Sequence, residues 1–136
     1  KTGDDMTLLV DLDGAVKSMQ AAQIAGVKRY VMVSTLWAED RNRWSDTIRP
    51  YYAAKFYADE WLRYRTDLDY TIVEPGALTF DEGTGKINTS GLEGGSVARE
   101  DVASTVVASL DQPGTINKTI PLITGETPIE EALKNV

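Results

Sequence analysis

Segments of helical period alternate with short apolar runs along this chain, and that alternation restricts the fold more than any other feature. Residues 4–26 place Leu8, Leu12, Ala15, Met19 and Ala22 at spacings of four and three, which predicts an amphipathic helix with that face inward. Asp4 and Asp5 suit its start, where free N–H groups favour anions, and Gly26 suits its end. Gly14, in its middle, costs about 1 kcal/mol relative to Ala and points to close packing against another backbone. Val27 to Ser34 reads as a strand, because Tyr30-Val31-Met32-Val33 is nearly continuous in apolar character. A polar loop over 35–49 carries Trp37 and Trp44. A second helix runs from about Pro50 to Arg65, with Ala54, Tyr57, Ala58, Trp61 and Leu62 inward. Tyr70 to Val73 is the next strand, stopped by Pro75-Gly76. Residues 79–96 read as a long loop with a short strand near Ile87.

Arg99 to Leu110 is a third helix, with Val102, Ala103, Val106, Val107 and Leu110 inward. After a turn at Gln112-Pro113-Gly114, Thr119 to Ile123 is a strand, and Pro121 within it points to a sheet edge. The last helix opens with Thr127 as cap, Pro128 first and Glu130 three on, a capping box. The order helix, strand, helix, strand, helix, strand, helix predicts an α/β fold: a parallel sheet with helices on both faces.

Composition narrows the chemistry. The chain has 136 residues, enough for one domain with one core, and contains neither Cys nor His. That excludes disulfides, thiolate nucleophiles, Cys or His zinc sites, and any imidazole base; no metal site is expected. A run of acids at Asp4, Asp5, Asp11 and Asp13 reads as a solvated face. The net charge of −7 and the lack of a basic cluster argue against nucleic acid as a partner. No apolar run approaches the ~20 residues of a membrane helix. The absence of Cys fits the cytoplasm. The first residue is Lys rather than Met, which implies that something was removed upstream.

In open parallel sheets, ligands bind beyond the carboxyl ends of strands. The predicted strands end at Ser34-Thr35, at Glu74-Pro75-Gly76 and at Thr124-Gly125, and the loops after the first two are the longest in the chain. Tyr51 and Lys55 stand four apart and share a helix face. An ammonium beside a phenol stabilises the phenolate and lowers its pKa. Such a Tyr can pass a proton to or from a carbonyl or alcohol oxygen while a nicotinamide transfers hydride, and a Ser at a strand end can bond the same oxygen. The alternative is that Tyr51 packs under a loop while Lys55 is solvated. Trp37 and Trp44 could likewise stack on a flat substrate or anchor their loop.

Four blocks carry a family resemblance. Gly26-Val27-Lys28-Arg29-Tyr30-Val31-Met32-Val33-Ser34-Thr35 resembles the strand bearing the active-site Ser of the atypical short-chain dehydrogenase/reductases, particularly the NmrA-like and flavin-reductase-like members. Tyr51-Tyr52-Ala53-Ala54-Lys55 is similar to their Tyr-x-x-x-Lys helix, and Asp69 to Leu78 to the strand and loop passing the nicotinamide. Arg99-Glu100-Asp101-Val102-Ala103 matches a frequent later helix. The resemblance implies catalytic roles for Ser34, Tyr51 and Lys55. It implies cofactor contacts from Thr35, Lys55, Pro75, Gly76, Ala77 and Leu78, with NADP or NAD as cofactor and a small-molecule substrate. All of these would converge on one crevice.

Two departures shape the expectation. Glu74 stands where the family usually has Arg. The family also opens with a strand, a Gly-rich phosphate loop and a helix, whereas Gly83 and Gly85 form only a lone G-x-G inside a loop. Lys1-Thr2-Gly3 looks like the stretch after the family's fourth strand. Residues 1–136 are therefore expected to be the C-terminal portion of a single NAD(P)-binding domain: a partial Rossmann fold lacking its first mononucleotide-binding half, roughly 65–80 residues. Without the helix N-terminus that normally holds pyrophosphate, this chain should bind dinucleotide weakly or not at all. It should also self-associate through an exposed sheet edge or need a complementing segment. Three functions compete: an NAD(P)-dependent oxidoreductase acting on a small carbonyl, quinone or flavin-like substrate; a non-catalytic NAD(P)-binding redox sensor; and a sugar-nucleotide epimerase-like enzyme.

Overall fold

The computed structural model describes residues 3–136; the Lys1-Thr2 part of the opening match lies outside them. The chain divides into two compact units. One, largely helical, comprises residues up to Tyr30 together with Trp37–Tyr70; the other, built on the sheet, comprises Val31–Leu36 and Thr71–Val136.

In the helical unit, one continuous helical stretch covers α1 (Asp4–Met6), a π-helical segment (Thr7–Gly14) and α2 (Ala15–Ile24). Gly26 closes it at φ 73°, and Val27 N–H reaches back to Ala22 O at 2.9 Å, as a glycine stop requires. The inward face differs from the expected stripe. Thr7, Val16 and Met19 are buried, whereas Leu8 is 55% exposed. The cause is the π segment: i→i+5 bonding puts more residues in each turn, so the 3.6-residue phase fails there. A Cβ at Gly14 would meet only Leu9 O of its own helical stretch, at 3.5 Å, so no other backbone packs closely there.

Helix α3 (Arg49–Arg65) has Pro50 in its first turn and packs against the π segment and α2. Its buried face is Ala54, Lys55, Ala58, Asp59 and Leu62. Tyr57, expected inward, is 53% exposed, because two charged side chains take the space instead. The preceding loop carries two 3-10 turns, Arg41–Arg43 and Asp46–Ile48. Both tryptophans anchor it. Trp44 donates to Ala38 O at 2.9 Å and stacks on Tyr52 at 6.0 Å, and Arg43 lies over Trp37.

The remaining elements are β1 (Arg29–Val33), β2 (Asp69–Pro75), β3 (Ala77–Thr79), β4 (Lys86–Asn88), β5 (Ser96–Ala98), α4 (Arg99–Leu110), β6 (Lys118–Thr124), β7 (Thr127–Pro128) and α5 (Ile129–Lys134). A five-stranded sheet runs β1-β2-β6-β4-β7, with β1 at one end of the order. Strand β2 pairs β6 in parallel; β4 lies antiparallel to both β6 and β7; β3 and β5 form a separate parallel pair. The architecture is α/β with a mostly parallel sheet flanked by helices. Val73, Ile87, Ile120 and Leu122 meet Ile129 and Leu133 in one core; fully burying a side chain of this size contributes about 1.5–3 kcal/mol.

Three expectations change here. Pro121 is not on an edge strand, since β6 has neighbours on both sides. Leu122 O accepts from Gly76 N–H, which turns Pro121 away from β2, and β4 pairs only Ile123 and Thr124, so no ladder bond is lost at Pro121. Thr127 is no helix cap: it pairs with Ile87 in the ladder, and α5 starts without a side-chain cap bond. On α4, Ala103, Val107 and Leu110 face outward while Asp101, Thr105 and Ser109 are buried, because Asp101 is pinned inward as described below.

Candidate active site

Each unit holds part of the expected constellation. In the sheet unit, Ser34 and Thr35 follow the last residue of β1, and Pro75 ends β2. Ser34 N–H donates to Val73 O at 2.7 Å and Leu36 N–H to Pro75 O at 3.0 Å, which sets Ser34-Thr35 beside the end of β2. The sheet unit therefore brings together Ser34, Thr35, Pro75, Gly76, Ala77 and Leu78 at the carboxyl ends of neighbouring strands, where open sheets bind ligands. Ser34 is buried at 2%, and Ala77 and Leu78 are exposed. Gly76 has a structural cause of its own: a Cβ there would lie 2.5 Å from Gly95 O. Glu74, where the resemblance leads one to expect Arg, is buried within β2.

In the helical unit, Tyr51 and Lys55 stand one turn apart on α3. Tyr51 lines a cleft of about 430 Å³ with Asp4, Thr7, Thr47, Ile48 and Pro50. It is half-buried rather than sealed in the core. Lys55 is buried rather than solvated, at 7% exposure. The electrostatics depart from the expectation. The Tyr51 phenol is pushed up from its ordinary value, first by burial and then by the carboxylates of Asp11 and Asp59 and by Tyr52. Burial and carboxylates thus outweigh any lowering by the Lys55 ammonium. A phenol so placed stays protonated at neutral pH, which suits a proton donor.

The lone G-x-G has a different occupant from a phosphate. Thr84 and Gly85 N–H donate to the two oxygens of Asp101 at 2.9 and 2.8 Å, and Gly83 N–H donates to Glu100 at 2.7 Å. The loop is a nest for the chain's own anions, and Asp101 is 1% exposed in it. At the strand tips, Ala77 and Leu78 are open to solvent. The backbone N–H groups of Gly83, Thr84 and Gly85 are all engaged by Glu100 and Asp101.

Residues 1–113 match the NAD(P)H-binding family. The chain belongs to that NAD(P)H-binding family. It is 52% identical over 136 residues to a Bacillus subtilis protein named uncharacterized sugar epimerase YhfK, covering 99% of this chain and 63% of that protein. Among solved structures it is similar to a putative NAD-dependent epimerase/dehydratase from Bacillus halodurans, with TM-score 0.93 and 40% identity over 99% of this chain and 64% of that one. It is also similar to the oxidoreductase ylbE from Lactococcus lactis, with TM-score 0.94 and 41% identity over 100% and 64%. The chain thus spans about two-thirds of the length of these relatives, and within the family its fold is a partial Rossmann-like one. No helix among the described residues is long and apolar enough to cross a membrane.

Two residues beside the candidate site were missed in the sequence. Asp59 continues the Tyr51–Lys55 stripe by one more turn, a spacing that could have flagged it. Asp11 carried no such signal, since its direction depends on the π segment.

Proposed function

We propose that the protein is an NAD(P)-dependent oxidoreductase that reduces a small carbonyl, quinone or flavin-like substrate in the cytoplasm. The observation that carries this reading is Tyr51 at the wall of an open cleft, with Lys55 one turn behind it. In this reading a reduced nicotinamide, when bound, supplies the hydride. Tyr51 gives its proton to the substrate oxygen as the carbonyl becomes an alcohol. Within the sheet unit, Thr35 and the Pro75-Gly76-Ala77-Leu78 segment are the proposed contacts of the nicotinamide end, with Ser34 beside them. Thr47 and Ile48 line the substrate cleft.

The test is Tyr51→Phe in the full-length protein. Quinone or dye reduction should fall by about 10²- to 10⁴-fold with cofactor binding retained. Unchanged turnover would remove Tyr51 from the chemistry. Wild-type protein that binds cofactor but turns over none of these substrates would favour the redox-sensor reading.

The name of the Bacillus subtilis relative favours a second reading, a sugar epimerase. An epimerase first removes a proton from a hydroxyl, and carboxylates around the phenol oppose that step. Inversion of a sugar carbon with no net change in nicotinamide absorbance would decide for it. The 136-residue chain alone should bind NADPH or NADH weakly, because its sequence holds no Gly-rich turn opening a helix to take the pyrophosphate. Calorimetry giving micromolar affinity would overturn that expectation.

A further inference from the structure

Two charged side chains of α3 lie in its buried face. Asp59 is 0% exposed and Lys55 is 7% exposed, among Ala54, Ala58 and Leu62. Charges withdrawn from water persist when paired. Residues four apart on a helix are within reach of one another. The order here, Lys before Asp, is the less favourable one for the helix itself, so local helix stability does not explain the arrangement. Tyr51, Lys55 and Asp59 form a single stripe over two turns, and the stripe begins at the cleft.

The surroundings of Tyr51 in this unit are acidic. Asp4 of α1 lines the same cleft, and Asp11 approaches from the π-helical segment. Tyr52 and Asp59 act from α3 itself, while Asp46 of the 3-10 turn is taken by Arg49. A π segment is rare and tends to mark functional places; this one carries Asp11. Lys55 is the one base of the stripe.

We propose that Asp59 is a positioning residue: its buried carboxylate takes the charge of Lys55, one turn back on α3, and so leaves the Tyr51 phenol among carboxylates rather than beside a free ammonium. The arrangement keeps Tyr51 in its proton-donating form, the form that starts carbonyl reduction, at neutral pH, and the phenolate that would start alcohol oxidation appears only at higher pH. This direction rests on Tyr51 being the proton donor proposed above. The pairing itself does not, and the test below needs no substrate, so the two readings fail separately.

The experiment is an ultraviolet titration of the Tyr51 phenolate, each variant being read against its own Tyr51→Phe partner. In Asp59→Asn the released ammonium and the lost carboxylate both favour the phenolate, so its midpoint should fall by about one pH unit. In a Lys55→Met background the same Asp59→Asn change should move the midpoint less than half as far. Asp59→Glu should restore the wild-type midpoint. A role in packing alone would change the melting temperature and leave these midpoints in place. No shift in Asp59→Asn, or an equal shift with and without Lys55, would overturn the proposal. Should Asp59→Asn not fold, the wild-type chain decides by nuclear magnetic resonance. A slowly exchanging Lys55 ammonium coupled through a hydrogen bond to the Asp59 carboxylate carbon is expected, and a Lys55 ammonium exchanging as fast as the exposed Lys17 would refute it.

Discussion

The two units use buried polar groups in opposite ways. In the sheet unit Asp101, Thr71 and Thr105 turn inward to satisfy the fold, while Ser34 stands at a strand end. Asp101 fills the nest at Thr84 and Gly85, Thr71 donates to Thr115 O at 2.7 Å, and Thr105 bonds Asp101 O at 2.8 Å. In the helical unit the buried charges Lys55 and Asp59 lie on the helix that walls an open cleft with Tyr51. The difference separates residues kept for stability from residues available for chemistry. Burial alone would have ranked Asp101 and Asp59 together; what distinguishes them is that backbone N–H groups hold Asp101, whereas Asp59 continues the helix stripe of Tyr51 and Lys55.

That contrast can be broken. The largest expected effect is Asp101→Ala, which leaves the Thr84 and Gly85 N–H groups without their acceptor and should cost about 3 kcal/mol in urea unfolding. A loss under about 1 kcal/mol would mean that the nest is not structural. A smaller effect sharpens the other side. The folded-state pKa of Tyr51 lies above the ordinary 10.0, so the unfolded chain loses that proton first as pH rises. The stability this group contributes is complete below about pH 10 and is lost as pH climbs through the folded value. The stability difference between wild type and Tyr51→Phe should therefore be constant from neutral pH to about 10 and change only above it. A change near neutral pH would contradict the acidic surroundings of the phenol. The smallest effect belongs to the surface. Lys28 hydrogen-bonds Asp67 at 3.0 Å and, with Gln23, holds that exposed carboxyl below its ordinary range. Lys28→Ala should stay within the error of a urea titration at neutral pH.

The alternation of helices and strands was legible because apolar spacing reports it directly, and α4 falls on the predicted Arg99–Leu110. The face of α4 was not legible, since a period count places Val107 and Leu110 inward and cannot see that Asp101 is captured by a loop 16 residues earlier. The short pairs β3–β5 and β4–β7 were largely hidden for a related reason: strands of two or three residues carry too little pattern to stand out from the loops around them. At the site, Tyr51 and Lys55 could be picked out by spacing. The direction of the Tyr51 shift could not, because it depends on burial and on Asp11, and nothing in Thr7–Gly14 announces a π-helix.

That π-helix makes the chain unusually sensitive to length at one place. Each residue of an ordinary helix advances about 100° around the axis, so deleting one residue between Thr7 and Gly14 would swing everything before the deletion by roughly that angle relative to α2. A deletion placed between Asp11 and Gly14 would thus carry Asp11 to a different azimuth while every side chain kept its identity. For this helix, the count of residues tunes the acidity around Tyr51 as effectively as a change of residue type.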